Sequence, residues 1–279
     1  MEHIVPVVEG AGGALAAAGG VGAATQFGKR LADAATDWLT TRLGKSREVA
    51  IETARAQGES FVIELEKRVK QLEESGTLAA GDAERAFERP DTIAALRAGY
   101  NAATETTDIV KRGVLASIVA DRLKAESESI EAVTSRRAIE IASNVSARQF
   151  RLLAQLAVVY AVRPKGLAAG RDALWIWLEP HLRRTGELFV SYPDVAYLES
   201  LALLKHDDLA SSDLAEVLRS PTEAPMDLSI LRASPTGIAL AKAWEIWKRC
   251  SLTLVGNYLG VYALNELDGG ERIELWGLR

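Results

Sequence analysis

The stretch that decides the fold is IETARAQGESFVIELEKRVKQLEE, residues 51–74. Its apolar and small residues recur at steps of three and four, which is the period of an amphipathic helix. They are Ile51, Ala54, Gly58, Phe61, Val62, Leu65, Val69 and Leu72. Glu64 and Arg68, four residues apart, supply an ion pair on the opposite face. The pattern predicts one long helix over residues 47–74.

This helix has a narrow apolar seam that needs a partner. The residues that we expect in the seam are Ile51, Phe61, Leu65 and Leu72. Three heptads are few for a coiled coil between chains. A second, antiparallel helix of the same chain is therefore the favoured partner, and intermolecular pairing stays open as the alternative.

The remaining sequence extends the helical prediction to a bundle over residues 29–164. Hydrophobic residues make up 48% of the 279, enough for a sizeable core, and prolines number only eight. Ser146 precedes the most apolar helix, over residues 147–162, which is too short to span a bilayer. We expect this helix to be central and buried, with a domain boundary after it near Pro164.

Shorter helices are predicted between these two. Asp82 is expected to cap one that Pro90 stops, and Asp91 is expected to cap the next. Apolar runs predict two more helices, over residues 109–123 and 130–145. The apolar residues of the second run are Ile130, Val133, Ile139 and Ile141.

Residues 1–28 form a separate segment of small and apolar residues. No charge occurs from Gly10 to Gly28, yet glycine and alanine are poor membrane-spanning residues. Small residues four apart let two helices approach closely. The segment is interpreted as a glycine-rich lead-in, with self-association and membrane contact as alternatives. The candidate contact residues are Gly12, Leu15, Ala16, Gly20 and Val21.

Residues 165–279 are predicted to form a smaller α+β module. Ser234-x-x-Gly237-x-x-Leu240 and Thr253-x-x-Gly256-x-x-Leu259 share one pattern for the start of a helix. In each, the hydroxyl is expected to cap the first turn and the glycine to allow close packing. Alternating apolar residues predict short strands at 226–231 and 273–276.

Residues 192–264 contain a helix that ends in a Leu-Leu pair, then a strand, then a Ser/Thr-x-x-Gly-x-x-Leu helix start. This order is similar to that of winged-helix modules. It also resembles the C-terminal part of bacterial abortive-infection alpha-like proteins, which are helical proteins associated with phage defence. The resemblance implies a cellular context and carries no catalytic residue. The predicted fold is thus mainly α, a multi-helix bundle with a winged-helix-like C-terminal module.

The sequence contains none of the familiar catalytic or metal-binding motifs. Its three histidines, His3, His181 and His206, are far apart and form no zinc-ligand spacing. Neither a nucleophile elbow nor a phosphate-binding loop occurs. His181 and His206 could each serve as a general base, but helix-end or surface positions are favoured. No cofactor or metal is expected, and an enzyme with an unfamiliar site is a minor alternative.

Cys250 is the only cysteine, so an intrachain disulfide is excluded and a reducing compartment is favoured. Its neighbours Lys248 and Arg249 would favour a reactive thiolate, whereas a place on an apolar helix face would make the thiol inert. The inert alternative is favoured. The N-terminus lacks the basic region of a signal peptide, and a cytoplasmic location is expected, with membrane association on activation as an alternative.

The formal net charge of −5 argues against a protein dominated by nucleic-acid binding. The candidate recognition helix at 212–219 contains Asp213 and Glu216, which would repel phosphate. The sequence therefore favours a non-catalytic helical interaction or oligomerisation protein with a protein partner. The alternatives are a membrane-disrupting effector acting through residues 1–28 and a nucleic-acid-binding module.

Overall fold

The computed structural model describes residues 48–79, 81–162, 170, 172–188, 191–206, 212–219 and 226–269. The described chain is mainly helical, and its strands form a two-stranded sheet. It divides into two compact units, an N-terminal unit Met1–Asn144 and a C-terminal unit Val145–Arg279. The predicted segment 1–28 lies outside the described residues.

From residue 48 onward, the N-terminal unit is built from helices joined by short turns. They are α1 (Glu48–Glu74), α2 (Asp82–Phe87), α3 (Pro90–Thr104), α4 (Ile109–Arg122) and α5 (Ile130–Ala142). The long predicted helix is confirmed as α1. Side chains before α4 and α5 cap them, since the Asp108 carboxylate accepts from the Lys111 N–H at 2.7 Å and the Ser129 hydroxyl accepts from the Ala132 N–H at 3.2 Å.

The predicted caps of α2 and α3 are wrong by one or two residues. Gly81 is the N-cap of α2, so Asp82 is the first helical residue. Arg89 is the N-cap of α3, and Pro90 begins that helix instead of only ending the previous one. Proline is favoured at this position because its missing N–H would have no partner there.

The seam of α1 is part of the core of the N-terminal unit. α1 packs on α3 and α4 of the same chain. Its buried apolar residues are Phe61, Val62, Leu65, Val69 and Leu72. The ring of Phe61 meets Tyr100 of α3 edge to face, with centroids 6.4 Å apart. Gly58 lies against the same tyrosine, where a Cβ would overlap the ring.

The C-terminal unit contains helices and two short strands. They are α6 (Ala147–Tyr160), α7 (Ala173–Arg184), α8 (Tyr192–Ser200), β1 (Leu204–His206), α9 (Leu214–Val217), a 3-10 helix (Leu228–Ala233), α10 (Pro235–Trp247), β2 (Cys250–Leu252) and α11 (Leu254–Asp268). The strands pair antiparallel, with Leu204 opposite Leu252 and His206 opposite Cys250.

The helix expected to be buried is α6, and residues 152–159 within it are all buried. A capping box begins it: the Ser146 hydroxyl accepts from the Gln149 N–H at 3.3 Å, and the Gln149 side chain accepts from the Ser146 N–H at 3.0 Å. α6 packs chiefly on α11. It therefore belongs to the C-terminal unit, whereas the boundary predicted near Pro164 had placed it in the bundle.

The backbones of α6 and α11 come close together at Gly260. A Cβ at this position would lie 2.6 Å from the Leu153 carbonyl oxygen and 2.9 Å from the Ala157 Cβ. Both distances are shorter than van der Waals contact, so only glycine fits without displacing backbone.

The strand predicted at 226–231 is wrong. Leu228–Ala233 is a 3-10 helix, and the Asp227 carboxylate accepts from the Ser229 N–H at 2.9 Å to start it. A hydrogen bond from a side chain to the nearby backbone competes with strand pairing. The alternation of apolar residues in the sequence gives no information about such a bond. The strand predicted at 273–276 lies outside the described residues.

Both Ser/Thr-x-x-Gly starts have the predicted capping geometry. The Ser234 hydroxyl accepts from the Gly237 N–H at 3.0 Å, and the Thr253 hydroxyl accepts from the Gly256 N–H at 3.1 Å. Each glycine lies against a backbone carbonyl, that of Leu231 or Leu203 respectively, where a Cβ would overlap the oxygen. In both places the repeated pattern therefore caps the helix and lets its first turn pack closely against a backbone carbonyl.

Replacing Gly260 with alanine is expected to destabilise the C-terminal unit. Alanine gains roughly 1 kcal/mol of helix propensity, but overpacking costs about 1–3 kcal/mol and here displaces backbone. We expect a lower urea midpoint by tryptophan fluorescence, because five of the six tryptophans follow Val145. Lys242→Ala, at an exposed position of α10, is the control. Equal midpoints for the two variants would contradict the close approach of α6 and α11.

Candidate functional site

The candidate residues predicted from the sequence do not form a site among the described residues. Phe61, Leu65 and Leu72 are buried in the N-terminal unit. Ile51 belongs to α1, but its side chain lies outside the described set. The predicted contact residues Gly12, Leu15, Ala16, Gly20 and Val21 lie outside it too. Within the described ranges, no helix is long and apolar enough to cross a membrane.

A group of ionisable side chains surrounds a buried carboxylate where α7 meets α11. Nδ1 of His181 is 3.1 Å from Oδ1 of Asp268, and Nη1 of Arg184 is 3.0 Å from the same oxygen. The Asp268 side chain is only 2% exposed. The His181 ring also packs on Trp177, with ring centroids 4.4 Å apart.

This group has a structural explanation. Asp268 is the last residue of α11, where the helix dipole disfavours a carboxylate. The Arg184 guanidinium offsets that cost and ties the end of α11 to the last turn of α7. A His–Asp pair acts as a general base when a nucleophile is hydrogen-bonded to the imidazole. No hydroxyl or thiol is seen in that role at His181 in the part of the chain that the structure describes.

Cys250 lies in a buried aromatic region of the C-terminal unit. Burial, and to a smaller degree the Glu199 carboxylate, raises the pKa of the Cys250 thiol to about 11. The thiol donates to the Ile246 carbonyl, with Sγ 3.6 Å from the oxygen. Lys248 pairs with Glu245. Burial thus outweighs the thiolate-stabilising effect of Lys248 and Arg249. The helix-face position expected for Cys250 is wrong, because Cys250 is the first residue of strand β2.

Tyr160 is part of the same region. Its hydroxyl donates to the Trp247 carbonyl oxygen at 2.8 Å, and its ring stacks on Trp244 with centroids 5.6 Å apart. Burial raises the pKa of Tyr160 well above its usual value. The tyrosine therefore stays neutral and joins α6 to α10.

Two cations of the N-terminal unit, the buried Lys111 and the partly buried Arg89, donate to carbonyl oxygens at helix ends. The Lys111 ammonium donates to the Ser143 carbonyl at 2.7 Å, just past the end of α5. Burial lowers the pKa of Lys111, while Glu105 and Asp108 oppose that shift. Arg89 donates to the Ala125 and Arg122 carbonyl oxygens at 2.7 and 3.2 Å. These contacts give the cations a role in joining helix ends to the rest of the unit.

The outer face of α5 carries apolar side chains that sequence reasoning did not separate from the core. Ile130 is 63% exposed and Val133 is 61% exposed, whereas Ile139 and Ile141 are buried. Val133 and Ile139 are six positions apart in the sequence, which corresponds to about 240° around a helix. The two side chains therefore point to different faces. The angle follows from the sequence alone, so the exposed position of Val133 could have been predicted from it.

α7 also has an exposed apolar residue on its outer face. Leu174, Leu178 and Leu182 are buried, while Ile176 is 65% exposed. Pro180 lies inside the helix, one turn after Ile176. A proline within a helix removes one backbone hydrogen bond, which is tolerated best on the solvent side where water can replace it.

These features define a mainly helical protein whose described ionisable clusters have structural roles. The model of an uncharacterised family matches residues 29–223, more than half of the chain, and the protein belongs to that family. No curated protein and no solved structure matches the chain.

Cys250 is expected to react slowly with thiol reagents in the folded protein. With a pKa of about 11, only about 0.1% of the thiol is ionised at pH 8, and the thiolate is the reactive species. We expect labelling at least about 100-fold slower than for the urea-unfolded chain. The unfolded chain is its own control because it has a single cysteine. Similar rates in the two states would contradict the buried position.

Asp268→Asn is expected to destabilise the C-terminal unit by about 1–3 kcal/mol, because the amide leaves Arg184 without its buried anion. Urea unfolding followed by tryptophan fluorescence measures the change. Glu245→Gln is the matched control, since Glu245 is 74% exposed and pairs with Lys248. Exposed pairs contribute little, so an equal effect in both variants would argue against the proposed role of Asp268.

Proposed function

We propose that this chain is a non-catalytic helical interaction protein that associates with copies of itself. The observation that supports the proposal is the outer face of α5, where Ile130 and Val133 are more than half exposed one turn apart. Single exposed apolar residues are normal on protein surfaces. Two branched residues on the same face of one helix are the kind of feature that protein contacts use.

The roles of the ionisable groups support the non-catalytic part of the proposal. His181 and Arg184 contact a buried carboxylate at a helix end, and Lys111 caps another helix. Cys250 is buried and protonated at neutral pH. The contacts of Arg184 and Lys111 and the burial of Cys250 are explained by folding, so none of these three side chains calls for a substrate.

The cellular setting that we propose is bacterial phage defence in the cytoplasm. Its support is the resemblance of residues 192–264 to abortive-infection alpha-like proteins. A winged-helix-like arrangement of α8 to α11 is part of the same proposal, and in it the module contacts protein. Asp213 and Glu216, at the start of the short helix α9, would disfavour nucleic-acid phosphate.

Sedimentation equilibrium of the full-length chain tests self-association. We expect the average mass to rise with concentration between about 1 and 200 µM, the range in which a small interface dissociates. A monomeric mass at all concentrations would contradict the proposal. Self-association could use either residues 1–28 or the remainder of the chain. The same measurement on a chain without residues 1–28 distinguishes them, because an unchanged mass profile would assign the contact to the remainder.

A further inference from the structure

No further inference is drawn: the strongest candidate, the side-chain cluster of His181 and Arg184 around the buried Asp268 carboxylate where α7 meets α11, belongs to the site already described.

Discussion

The close approach of α6 and α11 is the constraint on which the C-terminal unit depends. α6 is buried along residues 152–159, so its apolar surface has to be covered along most of its length. α11 covers it only because Gly260 lets the two backbones come together. The ends of α11 are then fixed by other contacts. Thr253 donates from its N–H to the Leu203 carbonyl at 3.1 Å, and Asp268 meets Arg184. α11 thus contacts the residue before strand β1 at one end and the last turn of α7 at the other.

Regular periodicity was enough to predict the long helix and the buried helix. α1 has the predicted seam because residues at steps of three and four lie on one side of any straight helix. The Ser146 start and the two glycine-containing starts were also predictable, because capping needs only a hydroxyl, a fixed spacing and a backbone N–H. These are local rules, and they describe contacts between residues close in sequence.

The features that sequence reasoning missed depend on other kinds of information. Asp268 and His181 are far apart in the chain, so only the packing of α7 on α11 could reveal their contact. The Asp227 side chain turned an alternating stretch into a 3-10 helix, since a local hydrogen bond outweighed the apolar pattern. The exposed face of α5 was missed for a different reason. Apolar residues were grouped by helix, while their angles around the helix decide which of them reach the core.

The distance in sequence between α6 and α11 has a consequence for synthesis of the chain on the ribosome. Gly260 is made about 100 residues after Leu153, which at typical translation speeds is about 5–20 s later. During that interval the apolar surface of α6 exists without the helix that covers it. The delay is shorter in the N-terminal unit, because α3 and α4, on which α1 packs, follow α1 more closely in the sequence. Nascent chains that stall between α6 and α11 would therefore be the ones that need a chaperone.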